Sequence, residues 1–98
     1  MPKRVIILGS TGSIGCNALA VAESLPGEFE IVGLAGMRSW EKLARQVERH
    51  RPKAVVLTES DAAEHLARRL RDDHAHTQVW TGAESLVRLV KELDVDFV

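Results

Sequence analysis

Gly9-Ser10-Thr11-Gly12-Ser13-Ile14-Gly15 is a G-x-x-G-x-x-G turn, which directly follows a β-branched apolar run at residues 4–8. It opens an amphipathic stretch, residues 14–25, whose apolar side chains recur at helical spacing. Glycines in this context indicate a phosphate site, because a Cβ would keep a phosphate from the backbone. Unpaired N–H groups and the dipole at the helix start then attract the anion.

We therefore predict a dinucleotide phosphate site at this turn. Ser10, Thr11 and Ser13 are expected to offer hydroxyls to the phosphate oxygens, and Gly15 is expected to allow close packing of the helix on the strand. The alternative is a glycine-rich turn that has only a packing role.

Apolar runs and amphipathic stretches alternate over the rest of the chain. Strands are predicted at residues 4–8, 29–35, 54–57 and 78–80, and helices at 14–25, 39–50, 60–71 and 82–93, with Ser39 and Ser60 as N-caps. Residues 96–98 resemble the opening of a further strand, which we expect beside the first strand, while 78–80 extends the far edge of the sheet.

Parallel strands need crossover helices, so this alternation predicts an α/β fold. We expect a three-layer, Rossmann-like, mostly parallel sheet with helices on both faces. The 98 residues are enough for one domain. An end inside an apparent strand predicts that residues 1–98 are a C-terminally truncated part of a nucleotide-binding domain.

The loop after the second predicted strand, Gly36-Met37-Arg38-Ser39, is the second candidate binding element. Dinucleotide folds carry a cofactor selector about 20 residues after the glycines, and Arg38 lies 23 residues after Gly15. No acidic residue occurs between Ile31 and Trp40, whereas a guanidinium can bind a phosphate bidentately. The loop therefore favours NADP over NAD. The alternatives are a solvated Arg38 and a Ser39 that only caps its helix.

Composition excludes several classes of protein. Thirteen basic and fourteen acidic side chains give a net charge of −1, which argues against a nucleic-acid or acidic-membrane partner. No apolar run approaches the ~20 residues that span a bilayer. The single cysteine, Cys16, excludes an internal disulfide and favours a cytoplasmic location.

The chain resembles the 1-deoxy-D-xylulose 5-phosphate reductoisomerase family over nearly its whole length. The resemblance rests on the residues Ile7-Leu8-Gly9-Ser10-Thr11-Gly12-Ser13-Ile14-Gly15, Pro26-Gly27-Glu28-Phe29, Ile31-Val32-Gly33-Leu34-Ala35 and Asp94-Val95-Asp96. It implies a three-domain enzyme that uses NADPH and a divalent metal, magnesium or manganese. That enzyme converts 1-deoxy-D-xylulose 5-phosphate to 2-C-methyl-D-erythritol 4-phosphate in non-mevalonate isoprenoid synthesis.

The resemblance also implies roles for individual residues. Thr11, Gly12, Ser13 and Ile14 line the pyrophosphate and nicotinamide side of the cofactor, and Arg38 meets the 2′-phosphate. The family usually has Gly-Lys/Arg-Asn where this chain has Met37-Arg38-Ser39, so the basic residue is kept but its neighbours differ. The family's metal carboxylates, substrate-phosphate residues and catalytic domains lie beyond Val98. We therefore assign no catalytic or metal-binding residue here and expect this piece alone to be inactive.

Two other functions stay open. One is a non-catalytic nucleotide-binding module, which differs from the enzyme in lacking a continuation with metal-binding carboxylates. The other is the front half of another NAD(P)-dependent dehydrogenase, such as a semialdehyde dehydrogenase.

We also expect a homo-oligomer, formed through an exposed sheet edge or as the family's dimer. His74 and His76 are interpreted as part of a polar turn, His50 and His65 as solvated, and Trp40 and Cys16 as packing residues rather than an adenine contact and a reactive thiol.

Overall fold

Strands and helices alternate along the part of the chain that the structure, a computed structural model, describes: residues 2–72, 76–93 and 95–96. The elements are β1 (Lys3–Leu8), α1 (Ser13–Ser24), β2 (Phe29–Gly36), α2 (Trp40–His50), β3 (Ala54–Leu57), α3 (Ser60–Asp72), β4 (Gln78–Thr81) and α4 (Glu84–Glu92). Every element predicted within these ranges is present. The α/β fold is therefore confirmed.

The element ends differ from the prediction by at most two residues, and the differences have local causes. Gly82 adopts a positive φ of 91°, so α4 begins two residues later, at Glu84. Ser60 is the first residue of α3 rather than its cap. Ser39 does occupy the N-cap position of α2, but its side chain makes no capping hydrogen bond.

The four strands form one parallel sheet in the order β1-β2-β3-β4. β4 therefore extends the far edge, as predicted. At the other edge, the Asp96 N–H donates to the Arg4 carbonyl at 2.8 Å, and the Arg4 N–H donates to Asp96 Oδ2 at 2.9 Å. Asp96 thus lies beside β1, where the further strand was expected, and Phe97 and Val98 lie outside the described residues.

Two apolar clusters cover opposite faces of the sheet. The larger one combines β2 and β3 with α1, α2 and α3, and contains Leu19, Ile31, Leu43, Val55 and Leu66. The smaller one sets Ile6, Val32 and Val56 against Leu89 of α4. All four residues of β3 are buried, which explains its uninterrupted apolar sequence. These clusters give the three layers that the alternation of elements predicted.

A bulge in β2 adjusts the face that receives α4. Val5 pairs with Ile31 but Ile6 pairs with Gly33, so Val32 is the extra residue. A Cβ on Gly33 would lie 3.1 Å from Ile6 Cγ1 and 3.2 Å from a methyl carbon of Leu89. The missing side chain at Gly33 therefore makes room for α4.

Candidate functional site

The glycine turn lies at the carboxyl end of β1, where the chain reverses into α1. Gly9 adopts φ +73°, the positive-φ conformation that a glycine tolerates best. The N–H groups of Gly9 and Ser10 both donate to the Ala35 carbonyl at 2.8 and 2.9 Å, and the Gly12 N–H donates to the Gly9 carbonyl at 3.1 Å. These bonds tie the turn to the end of the neighbouring strand β2.

Gly15 lets α1 start directly above the turn. A Cβ on this residue would lie 2.6 Å from Ser10 Cα and 2.9 Å from the Gly9 carbonyl carbon, with the Gly9 carbonyl oxygen closer still. All three are backbone atoms, which cannot move aside by a change of rotamer. Gly15 therefore allows close packing, but of the helix on the turn rather than, as predicted, on the strand.

The start of α1 presents a group of backbone donors. Gly12 is the N-cap, its extended conformation has φ −80° and ψ 174°, and the first bond into the helix runs from the Cys16 N–H to the Gly12 carbonyl. The N–H groups of Ser13, Ile14 and Gly15 consequently have no acceptor one turn earlier within the helix. No acidic side chain occupies the first turn. The N-terminal end of α1 can therefore bind an anion.

Ser10 does not present its hydroxyl to this surface, contrary to the sequence-based expectation. Its side chain is fully buried, at 0% exposure, and its Oγ donates to Gln46 Oε1 at 2.8 Å. Gln46 Nε2 in turn donates to the Ser10 carbonyl at 2.8 Å. The hydroxyl of Ser10 serves the protein interior, whereas Thr11 is half-buried and Ser13 is exposed.

Two α2 side chains hold the turn, and sequence analysis did not identify either of them. Besides Gln46, Lys42 Nζ donates to the Thr11 carbonyl at 2.9 Å. The two residues are one helical turn apart, so they lie on the same face of α2. This spacing is the one feature of the sequence that could have indicated a shared role for Lys42 and Gln46. The packing of α2 beside the glycine turn, however, is a tertiary contact that local patterns do not reveal.

The loop at residues 36–39 begins next to the glycine turn. The two elements must be neighbours if they bind the same cofactor. A Cβ on Gly36 would lie 3.4 Å from Thr11 Oγ1. The Gly36 carbonyl accepts from the Thr58 N–H at 3.1 Å, which links this loop to the end of β3. Arg38 and Ser39 follow on the exposed surface.

Other candidate residues have structural roles. His50 is not solvated, because its side chain is only 11% exposed and its Nε2 lies 3.1 Å from Glu23 Oε1. Trp40 packs against the larger core cluster and stacks on His65, with ring centroids 5.3 Å apart. Cys16 is partly buried, and its Sγ donates weakly to the carbonyls of Ser10 and Thr11 at 3.6 and 3.7 Å.

The described residues contain neither a cluster of potential metal ligands nor a membrane-spanning helix. Among residues 2–72, 76–93 and 95–96, no group of three or more His, Cys, Asp or Glu side chains is arranged to hold a metal ion. No helix in that part of the chain has the length and apolar character needed to cross a membrane. The interpretation of His74 and His76 as a polar turn remains a prediction, because residues 73–75 lie outside the described ranges.

Comparison with known proteins identifies one family. Residues 5–98 match the sequence model of 1-deoxy-D-xylulose 5-phosphate reductoisomerase. The enzyme of that name from Caldanaerobacter subterraneus is 44% identical over 89 residues, which are 91% of this chain and 22% of the relative. Its namesake from Actinobacillus pleuropneumoniae is 38% identical over 96 residues, 98% of this chain and 24% of the relative. This chain thus spans about a quarter of the length of the curated relatives that it matches.

Solved structures with the same fold include cofactor complexes. A crystal structure of DOX-P reductoisomerase with magnesium superposes with a TM-score of 0.91 at 27% identity, covering 98% of this chain and 24% of that one. The complex with NADPH, fosmidomycin and magnesium gives 0.90 at 28% identity, covering 96% and 23%. The Zymomonas mobilis enzyme in complex with NADPH gives 0.83 at 27% identity, covering 91% and 23%.

Proposed function

Because this chain belongs to the 1-deoxy-D-xylulose 5-phosphate reductoisomerase family, we propose that it binds the adenosine and pyrophosphate end of NADPH. One observation carries the proposal: the loop that leads to Arg38 begins beside the glycine turn that precedes α1, since a Cβ on Gly36 would lie 3.4 Å from Thr11 Oγ1. A dinucleotide with an extra ribose phosphate needs two anion sites at neighbouring strand ends. The start of α1 and the Arg38 loop are the two sites that we propose.

The residues of the turn match the pyrophosphate in chemistry. Backbone N–H groups of Thr11, Ser13 and Ile14 are the donors, and Gly15 lets the helix start close to the turn that carries them. Thr11 and Ser13 can add hydroxyl donors, whereas Ser10 supports the turn from behind. The cofactor contributes the hydride chemistry when it is bound, and these residues contribute binding and orientation.

Arg38 is the proposed selector for the 2′-phosphate. Its guanidinium carries a permanent charge and five donors, so it can bind a phosphate at two points. Ser39 stands beside it at the start of α2, and its hydroxyl makes no capping bond to the helix. The hydroxyl is thus not used by the helix and can reach the same phosphate. Gly36 lies beside Thr11 at the beginning of this loop.

For the whole protein we propose the reaction after which the family is named. It would convert 1-deoxy-D-xylulose 5-phosphate to 2-C-methyl-D-erythritol 4-phosphate in isoprenoid synthesis with NADPH and a divalent metal, in the cytoplasm. Solved relatives in complex with NADPH and magnesium support the cofactors. We expect this chain alone to bind cofactor without turnover, which an assay of NADPH oxidation with the substrate and magnesium would test. Fractionation of the source cells would test the location.

Calorimetric titration with NADPH, NADH, 2′-phospho-AMP and AMP tests the cofactor proposal. The phosphorylated ligands should bind more tightly than their counterparts, and Arg38→Ala should remove that preference at a cost of roughly 1.5–3 kcal/mol, or about ten- to a hundred-fold. Arg51→Ala is the matched control, since Arg51 is an exposed arginine at the opposite end of α2. A folded chain that binds none of the four ligands would contradict the proposal.

We also propose that the chain forms homo-oligomers through the apolar surface beside β1. A groove of about 510 Å³ runs between β1 and α1 and is lined mostly by Val5, Ile7, Leu8, Val21 and Phe29. A second copy that covered it would remove this apolar surface from water. Val21→Glu should lower the mass measured by light scattering, whereas Val87→Glu should not, because Val21 and Val87 are similarly exposed at 57% and 56%. A monomer at high concentration would contradict the proposal.

A further inference from the structure

We infer that Gln46 is a positioning residue for the cofactor phosphates, acting through the Ser10–Thr11 peptide. The inference rests on the proposed NADPH site and adds a residue that lies behind it rather than in contact with the ligand. Gln46 belongs to α2 and is 36 residues away from Ser10 in the sequence. The Gln46 side chain nevertheless makes two hydrogen bonds with Ser10, one through Oε1 and one through Nε2. Its Nε2 also makes a weaker contact with Cys16 Sγ.

The geometry of the peptide unit explains the role. The carbonyl of Ser10 and the N–H of Thr11 belong to the same planar trans peptide, so they point in opposite directions. Gln46 Nε2 donates to that carbonyl at 2.8 Å from the α2 side. The N–H of Thr11 is thereby directed away from α2. The bond fixes the direction of one of the proposed phosphate donors.

Neighbouring contacts support the same orientation. Cys16 Sγ lies 3.6 Å from the Ser10 carbonyl and 3.7 Å from the Thr11 carbonyl, and Lys42 Nζ donates to the Thr11 carbonyl at 2.9 Å. Three side chains thus hold two consecutive carbonyls on one side of the turn. Of the two neutral donors to the Ser10 carbonyl, Gln46 Nε2 is the nearer, at 2.8 Å against 3.6 Å for Cys16 Sγ, so it makes the stronger bond.

α2 also connects the two proposed anion sites. The Arg38 loop leads into its first residue, Trp40, and Gln46 holds the turn less than two helical turns later. One rigid helix therefore sets the distance between the pyrophosphate donors and the 2′-phosphate selector. Loss of the Gln46 contact should weaken pyrophosphate binding and leave the Arg38 loop in place, because Leu43, Ala44 and Val47 still anchor α2 in the core.

The test compares two ligands in three variants. NADPH uses both anion sites, whereas adenosine 2′-monophosphate uses only the Arg38 site. Gln46→Met has similar length but no hydrogen bonds, so it should weaken NADPH binding about tenfold and change 2′-monophosphate binding less than twofold. Val47→Ala, which loses core packing in α2 without touching the turn, controls for stability.

The outcomes separate this inference from the proposed function. If the unmodified chain binds no NADPH, both proposals fail. If it binds NADPH and a folded Gln46→Met binds equally well, only the role of Gln46 is refuted. Equal losses for both ligands, or a matching loss in Val47→Ala, would also refute it. Gln46→Glu provides a second variant: it retains the acceptor for the Ser10 hydroxyl and loses the donor, so unimpaired NADPH binding there would overturn the inference.

Discussion

Replacement of Gly15 by alanine is the sharpest test of how the glycine turn is built. The added Cβ would lie 2.6 Å from Ser10 Cα, whereas ordinary contacts of a Cβ begin at 3.4 Å. The Gly9 carbonyl oxygen would lie closer still, so the start of α1 and the turn must separate by more than about 0.8 Å. Both sides of the contact are backbone, and the turn is also held by the Ala35 carbonyl and by Gln46. The strain cannot be relieved by one side chain.

The expected cost follows from this geometry. Overpacking costs about 1–3 kcal/mol and occasionally more, and a backbone clash belongs at the upper end. Alanine regains up to about 1 kcal/mol through its higher helix propensity. The net loss of unfolding free energy should be about 2–3 kcal/mol, which lowers the Tm of a domain of this size by roughly 10–20 °C.

Gly12→Ala is the matched control for this measurement. Gly12 lies in the same turn, but a Cβ there would meet only the Gly9 carbonyl oxygen at 3.5 Å, and its φ of −80° suits any residue. Its expected cost is below about 1 kcal/mol, the effect of a less favourable N-cap. Thermal melting followed by far-UV circular dichroism compares the two variants. If Gly15→Ala melted within about 3 °C of Gly12→Ala, the packing argument would be refuted.

Two further predictions concern the two apolar clusters. Leu66→Ala in α3 removes a fully buried side chain from the larger cluster and should cost about 2–5 kcal/mol in urea unfolding, while Val87→Ala on the exposed face of α4 should cost less than about 0.5 kcal/mol. Gly33→Ala meets only side-chain atoms at 3.1–3.2 Å, so α4 should shift slightly at a cost of about 1 kcal/mol. Hydrogen exchange that stayed unchanged in α4 would argue against this account of the bulge.

Local patterns predicted the elements well because each depends on nearby residues. The apolar run of β3 is continuous since both faces of that strand are buried, and the helical spacing in α2 and α3 marks the sides that face the core. The glycine turn was recognised for the same reason: the strand, the glycines and the helix are adjacent in sequence. Errors in the elements were confined to their ends, such as the start of α4 and the cap predicted at Ser60.

The candidate site was predicted only in part, because its supports come from distant residues. Ser10 was expected to offer a hydroxyl to a phosphate, but a serine in a glycine turn can point to either side of the backbone. Gln46 decides the side, since its amide matches both the hydroxyl and the carbonyl of Ser10. His50 was similarly predicted to be solvated because it lies on a polar helix face. The packing of α1 instead places Glu23 Oε1 3.1 Å from His50 Nε2.

The sequence by itself determined the order of the elements, the parallel α/β class and the position of the glycine turn. These follow from hydrophobic periodicity and from the conformational freedom of glycine, which act within a few residues. Tertiary structure alone decided the bulge at Val32, the burial of Ser10 and the contact of Lys42 and Gln46 with the turn. Those features depend on the packing of α2 and α4 against the sheet, and such packing joins residues that no local pattern relates.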